Sequence, residues 1–214
     1  MSWAPNQDEF DRAQLVTFLR AVDRNLSDAL TVVAIGGSAA MLGYGSPVRT
    51  SDIDVFETSG KDFETLAEAS AVAREETGLL VGVERAAVAD IPDSYRDRVR
   101  GAKIPRLANL TVVVPDKYDL VLSKAVRCWP HDVEAVAGIH ERHPLALAAL
   151  VARFEKELLP IANVDRKKLC LNVAMIAARL WGLDRAGELA KRWGVPVPTG
   201  LLPRARSKRS APRR

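Results

Sequence analysis

Cysteine, aromatic residues and long apolar runs are all scarce in this 214-residue chain. Its two cysteines are too few for a disulfide framework and lack metal-ligand spacing. No stretch approaches the ~20 uncharged apolar residues of a membrane helix, and the charged first residues do not resemble a secretory signal. These absences argue against a disulfide scaffold and a membrane partner, and they favour a cytoplasmic protein.

Hydrophobic residues nevertheless make up 48% of the chain, although aromatic residues contribute only 6%. The chain can therefore bury a sizeable core that is packed mainly with leucine, valine and alanine. The net charge is +4, and residues 204–214 contain six basic side chains and no acid. Such a block is typical of a solvated tail or of a segment that contacts phosphates.

The apolar pattern predicts a small α/β core followed by helices. Short β-branched runs predict strands at Leu30–Ile35, Ser51–Glu57, Leu79–Val88 and Leu107–Val114. Helical spacing predicts helices within Asp8–Leu30, Ser38–Leu42, Lys61–Thr77, Asp116–Arg127, His131–His140, Leu145–Leu158, Arg166–Trp181 and Arg185–Trp193. We expect an α/β (α+β) fold with a small mixed sheet, divided into a core (1–115), a helical portion (116–200) and a basic, disordered tail (201–214).

The segment GGSAAMLGYGSPVRTSDIDVF, residues 36–56, contains the most informative pattern. Asp52 and Asp54 are two residues apart in a predicted strand, so both carboxylates project from one face while Ile53 packs on the other. Two adjacent anions in a partly buried site repel each other unless a cation is present. Mg²⁺ favours one or two carboxylates together with phosphate oxygens, so the pattern predicts a metal site.

Gly36, Gly37 and Ser38 lie between a predicted strand and a predicted helix. Backbone N–H groups at such a helix start bind phosphate, glycine permits close approach of the backbone, and the Ser38 hydroxyl adds a donor. Either element alone is common in ordinary connections. Their combination predicts a site that holds the triphosphate of a nucleotide.

Residues 36–56 resemble the signature of the DNA polymerase β-like nucleotidyltransferase superfamily: an apolar strand, Gly-Gly/Ser, a gap of about a dozen residues, and Asp-x-Asp. Together with DKYDLVLSKAVRCWPHDVEAV, the chain is similar to minimal prokaryotic members related to the AbiEii-like toxin nucleotidyltransferases. The positions that match this second motif are Leu120, Lys124 and Asp132, with His131 where the family prefers a longer side chain. The resemblance covers roughly residues 32–139.

The resemblance implies Mg²⁺-dependent transfer of a nucleoside monophosphate from an NTP to an acceptor hydroxyl. It assigns Mg²⁺ binding and catalysis to Asp52 and Asp54, and phosphate binding to Gly36, Gly37 and Ser38. Lys124 would neutralise phosphate charge. Asp132 would orient that lysine or activate the acceptor.

Considered without the resemblance, two of these residues keep alternative roles. Lys124 fits a helix lysine that extends its ammonium to solvent, and Asp132 fits an N-cap of the following helix. Trp129, Trp181 and Trp193 are predicted to be packing residues.

Superfamily members commonly carry a third carboxylate on a later core strand, but the strand predicted at Leu107–Val114 contains no acid. Asp132 or Asp90 could replace it, or the site could bind a metal poorly. Three functions therefore stay open: transfer to RNA, such as tRNA, or to a protein in a toxin–antitoxin-like setting; modification of a small molecule; and a catalytically silent binding module. The first would use the basic patch and tail for RNA and admits an antitoxin or another protein partner.

Overall fold

A five-stranded mixed sheet organises the part of the chain that the computed structural model describes, residues 9–59, 63–86 and 90–198. The strands are β1 (Leu30–Ala34), β2 (Asp52–Thr58), β3 (Gly82–Arg85), β4 (Arg100–Gly101) and β5 (Leu110–Val114). Their order is β3-β2-β1-β5-β4. β1 is antiparallel to β2 and parallel to β5, β3 is parallel to β2, and β4 is antiparallel to β5. The predicted fold class is confirmed.

Helices flank the sheet and continue as a helical C-terminal portion. They are α1 (Arg12–Arg24), α2 (Gly36–Tyr44), α3 (Phe63–Thr77), α4 (Lys117–Arg127), α5 (Pro130–Arg142), α6 (Leu147–Arg153), α7 (Arg166–Trp181) and α8 (Leu183–Trp193). A 3₁₀ helix covers Asp93–Arg98, and α6 continues into a π-helical segment at Phe154–Leu158. In the described ranges, none of these helices combines the length and the apolarity needed to cross a membrane.

One apolar core extends from the sheet into the helical portion. Phe18, Val112 and Leu120 all belong to this buried cluster, and Trp181 and Trp193 pack against it. The prediction of a packing role was wrong for Trp129, which is 56% exposed. The division at residue 115 stays a prediction, and the basic tail, residues 201–214, lies outside the described residues.

The largest differences from the predicted elements occur where pairing between strands, rather than local pattern, decides the structure. Within the described part of the third predicted strand, residues 79–86, only Gly82–Arg85 form a strand, and this is the part that pairs with β2. β4 was not predicted, because a two-residue strand has too short a sequence to show alternation. It exists because Arg100 and Gly101 pair with the edge of β5.

A buried carboxylate on α1 anchors the strand that leads to the helical portion. Asp23, 4% exposed, accepts hydrogen bonds from the main-chain N–H groups of Ala108 (3.0 Å), Asn109 (2.7 Å) and Leu110 (2.6 Å). Burial alone would raise the pKa of Asp23, but these three donors outweigh it and the pKa is lowered. The contact fixes the start of β5, and therefore the origin of α4 beyond it.

Candidate active site

Three carboxylates from two neighbouring strands form a cluster at one edge of the sheet. Asp52 and Asp54 lie on β2 and Glu84 lies on β3, and each offers one oxygen such that all three oxygens are within 4.8 Å of one another. We call these residues the acid cluster. Oxygens bound to one Mg²⁺ are separated by at most about 4.2 Å, so small side-chain rotations bring this donor set to the spacing that the ion requires.

The cluster follows from alternation along β2 and from the register of β3. Ile53 and Val55 are buried, whereas the two aspartates between and before them are only partly buried on the opposite face. In the parallel pairing Asp54 lies opposite Glu84, so their side chains share that face. The Thr50 hydroxyl lies 3.1 Å from Oδ1 of Asp52, to which it donates a hydrogen bond that orients the carboxylate.

The glycine turn brings the start of α2 against the acid cluster. Gly36 has a φ of +68°, a conformation that favours glycine. A Cβ at this position would lie only 2.1 Å from Oδ2 of Asp54, and a Cβ at Gly37 would lie 2.9 Å from Oγ1 of Thr50. Both glycines therefore permit a close approach that a side chain would prevent.

Ser38 faces the interior of the protein. It is fully buried, and its hydroxyl donates to the main-chain oxygen of Ile35 at 3.1 Å. This side chain therefore stabilises the first turn of α2. A role for Ser38 in phosphate binding stays a prediction.

Lys124 and Asp132 form a buried ion pair opposite the acid cluster. Lys124 on α4 is 4% exposed and Asp132 on α5 is fully buried, and Nζ lies 3.2 Å from Oδ1. Arg127 adds a two-pronged contact to Asp132, with Nε donating to Oδ2 (3.0 Å) and Nη2 to Oδ1 (2.9 Å). Asp132 also accepts from the main-chain N–H of Trp129 (3.2 Å), so it caps α5 from its first turn while it holds both cations.

The pKa values of the acid cluster and of the pair formed by Lys124 and Asp132 are shifted by burial and by neighbouring charges. Burial, and next the charges of Asp52 and Glu84, raise the pKa of Asp54 from 3.8 to about 6. Burial lowers the pKa of Lys124, although Asp132 opposes this change. Burial would raise the pKa of Asp132, but the hydrogen bonds from Arg127 and the charge of Lys124 outweigh it, and its pKa is lowered. The acid cluster thus lacks enough positive charge of its own, which is the condition under which a divalent cation binds.

A cleft of about 560 Å³ separates the carboxylates from the basic residues. Its walls include Gly37, Arg49, Thr50, Asp52, Asp54, Glu84, Lys124, Arg127 and His131. A second cavity of about 240 Å³ shares Asp54, Lys124 and Arg127 with the cleft and is also lined by Gly36, Ser123 and Asp90. The arrangement can hold a polyanion between a metal-binding wall and a cationic wall, with room for a second reactant beside Asp54.

Sequence reasoning did not find Glu84 or Arg127. Glu84 is exposed and belongs to a four-residue strand, so only its register against β2 reveals its position. Arg127 lies three residues after Lys124, and its spacing on one helix face was an available signal. Asp90 accepts a hydrogen bond from the main-chain N–H of Asn163 (3.3 Å) and is not a member of the acid cluster.

Paired aspartates on a strand thus lie beside a glycine turn at a helix start and across a cleft from a cationic helix. Residues 13–171 match the model of a family described as "Nucleotidyltransferase of unknown function (DUF6036)", and the chain belongs to this family. The matched range contains the acid cluster, the glycine turn and the pair formed by Lys124 and Asp132. No curated protein and no solved structure matches the chain.

Proposed function

We propose that this protein is a Mg²⁺-dependent nucleotidyltransferase that moves a nucleoside monophosphate from an NTP to an acceptor hydroxyl. The observation that carries the proposal is the cluster of three carboxylate oxygens within 4.8 Å, facing Lys124 and Arg127 across a cleft. Bound Mg²⁺ would neutralise the triphosphate oxygens and orient the α-phosphate.

The remaining residues have separate roles in this reaction. The backbone of Gly36 and Gly37 admits phosphate oxygens to the start of α2, and Lys124 neutralises phosphate charge. Asp132 is a positioning residue, because it is fully buried and holds Lys124 and Arg127. The acceptor oxygen bonds to the α-phosphorus, the bond from that phosphorus to the bridging oxygen breaks, pyrophosphate leaves, and the hydroxyl proton passes to solvent.

For the acceptor we propose RNA, such as tRNA, or a protein hydroxyl, in a toxin–antitoxin-like setting with an antitoxin or another protein as partner. The resemblance to AbiEii-like toxins and the sequence pI near 9.2 support this choice. The cavity of about 240 Å³ beside Asp54 supports a second candidate, a small hydroxylated molecule. A silent binding module was supported by the lack of an acid on the strand now seen at Leu110–Val114, and Glu84 on β3 adds a third carboxylate to the cluster instead.

Incubation with each α-labelled NTP and Mg²⁺, in separate reactions with total tRNA, cell protein and small hydroxylated acceptors, tests the proposal. Label on RNA or protein with the wild type, and none with an Asp52→Ala/Asp54→Ala variant, is the expected result. Glu84→Gln should retain NTP binding but raise the Mg²⁺ concentration needed for half-maximal transfer. Deletion of residues 202–214 should reduce RNA labelling and leave NTP binding unchanged.

Label on the small acceptors alone would select the second candidate. NTP binding with no transfer to any of the three acceptor classes would favour a silent module. Equal transfer by the wild type and the double aspartate variant would reject the role of the acid cluster.

A further inference from the structure

An exposed aromatic side chain lies beside the basic wall of the cleft. Trp129 is 56% exposed, and the guanidinium carbon of Arg127 lies 4.8 Å from the centroid of its ring. The His131 ring contacts the same indole edge-on, with centroids 5.6 Å apart. Arg127 and His131 line the cleft that contains the acid cluster. We call Arg127, Trp129 and His131 the rim group.

The backbone holds the rim group in place. Cys128, between α4 and α5, has a φ of +53°, and it is one of two non-glycine residues with positive φ in the described ranges. Such a conformation is costly for a residue with a side chain and is retained where the surroundings enforce it. The N–H of Trp129 donates to buried Asp132, and Pro130 opens α5 directly after it. The indole therefore projects from a rigid two-residue connection.

Exposure of a single apolar side chain is ordinary on protein surfaces. Leu80 (72%) and Leu183 (54%) are also exposed, but neither is among the residues that line the cleft. Trp129 differs because an arginine and a histidine of the cleft wall pack against it. Planar bases stack on tryptophan and on arginine guanidinium planes, and arginine and histidine add contacts to phosphate.

We propose that the rim group is a nucleobase-stacking platform, which positions either the base of the incoming NTP or an unpaired base of an acceptor RNA. The proposal rests on the function proposed above, because a base can be held here only if a nucleotide enters the cleft. This role requires that a base stacked at the rim has its attached phosphates directed toward Lys124 and the acid cluster. The platform then supplies the affinity that is independent of phosphate charge.

This proposal is tested by the binding affinities of the full-length protein, measured by intrinsic fluorescence and by competition. The probes are each NTP with Mg²⁺, a short single-stranded RNA without NTP, and inorganic tripolyphosphate, which has no base. We expect Trp129→Ala to weaken binding of the NTP or the RNA by about 5- to 100-fold and to leave tripolyphosphate binding unchanged. Trp129→Phe should restore most of the affinity, and the equally exposed Leu183→Ala is the matched control.

The outcomes distinguish a base of the NTP from a base of an acceptor RNA, and they distinguish the stacking proposal from the proposed function. A loss for NTPs assigns the platform to the donor, whereas a loss for RNA alone assigns it to the acceptor. Unchanged affinity for both in Trp129→Ala, or an equal loss for tripolyphosphate, would overturn the stacking role. Absence of transfer by the wild type to any of the three acceptor classes would reject the proposed function, while a loss of affinity in Trp129→Ala would still support stacking. Absence of all binding by the wild type would overturn both.

Discussion

Replacement of Asp54 by asparagine should stabilise the metal-free protein at neutral pH. Burial and the charges of Asp52 and Glu84 raise the pKa of Asp54 from 3.8 to about 6, so its charged form is disfavoured in the folded state. A shift of about two pKa units corresponds to about 3 kcal/mol at pH 8, because each unit contributes about 1.4 kcal/mol. We therefore expect Asp54→Asn to increase the free energy of unfolding by up to about 3 kcal/mol at that pH.

The sign of the pH dependence follows from the same shift. Because the folded protein binds this proton more tightly than the unfolded chain, the wild type loses stability as the pH rises from about 4 to about 6. The advantage of Asp54→Asn should therefore vanish below pH 4. Guanidinium unfolding in the presence of EDTA at pH 4 and pH 8 measures both values, provided that the transition is two-state.

A matched control and an added ion sharpen this experiment. Glu68→Gln removes an exposed carboxylate on α3 and should change the free energy of unfolding by less than about 0.5 kcal/mol. Addition of Mg²⁺ should stabilise the wild type at pH 8 but not Asp54→Asn. Equal stability of wild type and Asp54→Asn at pH 8 without metal would refute the account of a strained, cation-deficient acid cluster.

Three further substitutions probe the framework of the site. Gly36→Ala should destabilise the protein by more than Gly78→Ala and abolish Mg²⁺ binding, since both positions have positive φ but only Gly36 adjoins the acid cluster; equal effects in thermal unfolding and metal titration would contradict this. Asp132→Asn should cost about 3–5 kcal/mol in denaturant unfolding, because it leaves the ammonium of Lys124 buried without its partner; a change below about 1 kcal/mol would dismiss the pairing. Asp23→Asn should cost at least about 2 kcal/mol, by loss of main-chain hydrogen bonds, and a nucleotide titration should show unchanged affinity; a weakened affinity would indicate that the anchor also shapes the cleft.

Alternation and turn chemistry were sufficient to predict the centre of the fold. The buried pattern of β2 is local, so Asp52 and Asp54 could be placed on one face from the sequence alone. The glycines that end β1 likewise marked the start of α2. Lys124 and Asp132 were named from the family resemblance, and the structure brings Nζ and Oδ1 of this pair within 3.2 Å of each other.

Features that depend on distant pairing could not be predicted in this way. The strand that precedes α4 contains no acid, and Asp132 or Asp90 was named as a replacement, but Glu84 joins the cluster from β3 through a register that no local pattern specifies. Trp129 was predicted to be a packing residue because it lies in the helical half of the chain, and tryptophan is highly buried on average. The residue before it, Cys128, has a left-handed backbone, although cysteine is not a residue type that favours this conformation.

Because β3 lies at the edge of the sheet, the charge of the cleft depends on the register in which β3 pairs with β2. β3 is four residues long and, in the described sheet, pairs with β2 alone. If it slipped by one residue, Val83 or Arg85 would stand opposite Asp54 instead of Glu84. In the second case the positive charge of Arg85 would stand opposite Asp54 in place of the negative charge of Glu84. Four residues at the margin of the sheet thus decide whether the cleft attracts a cation or already contains one.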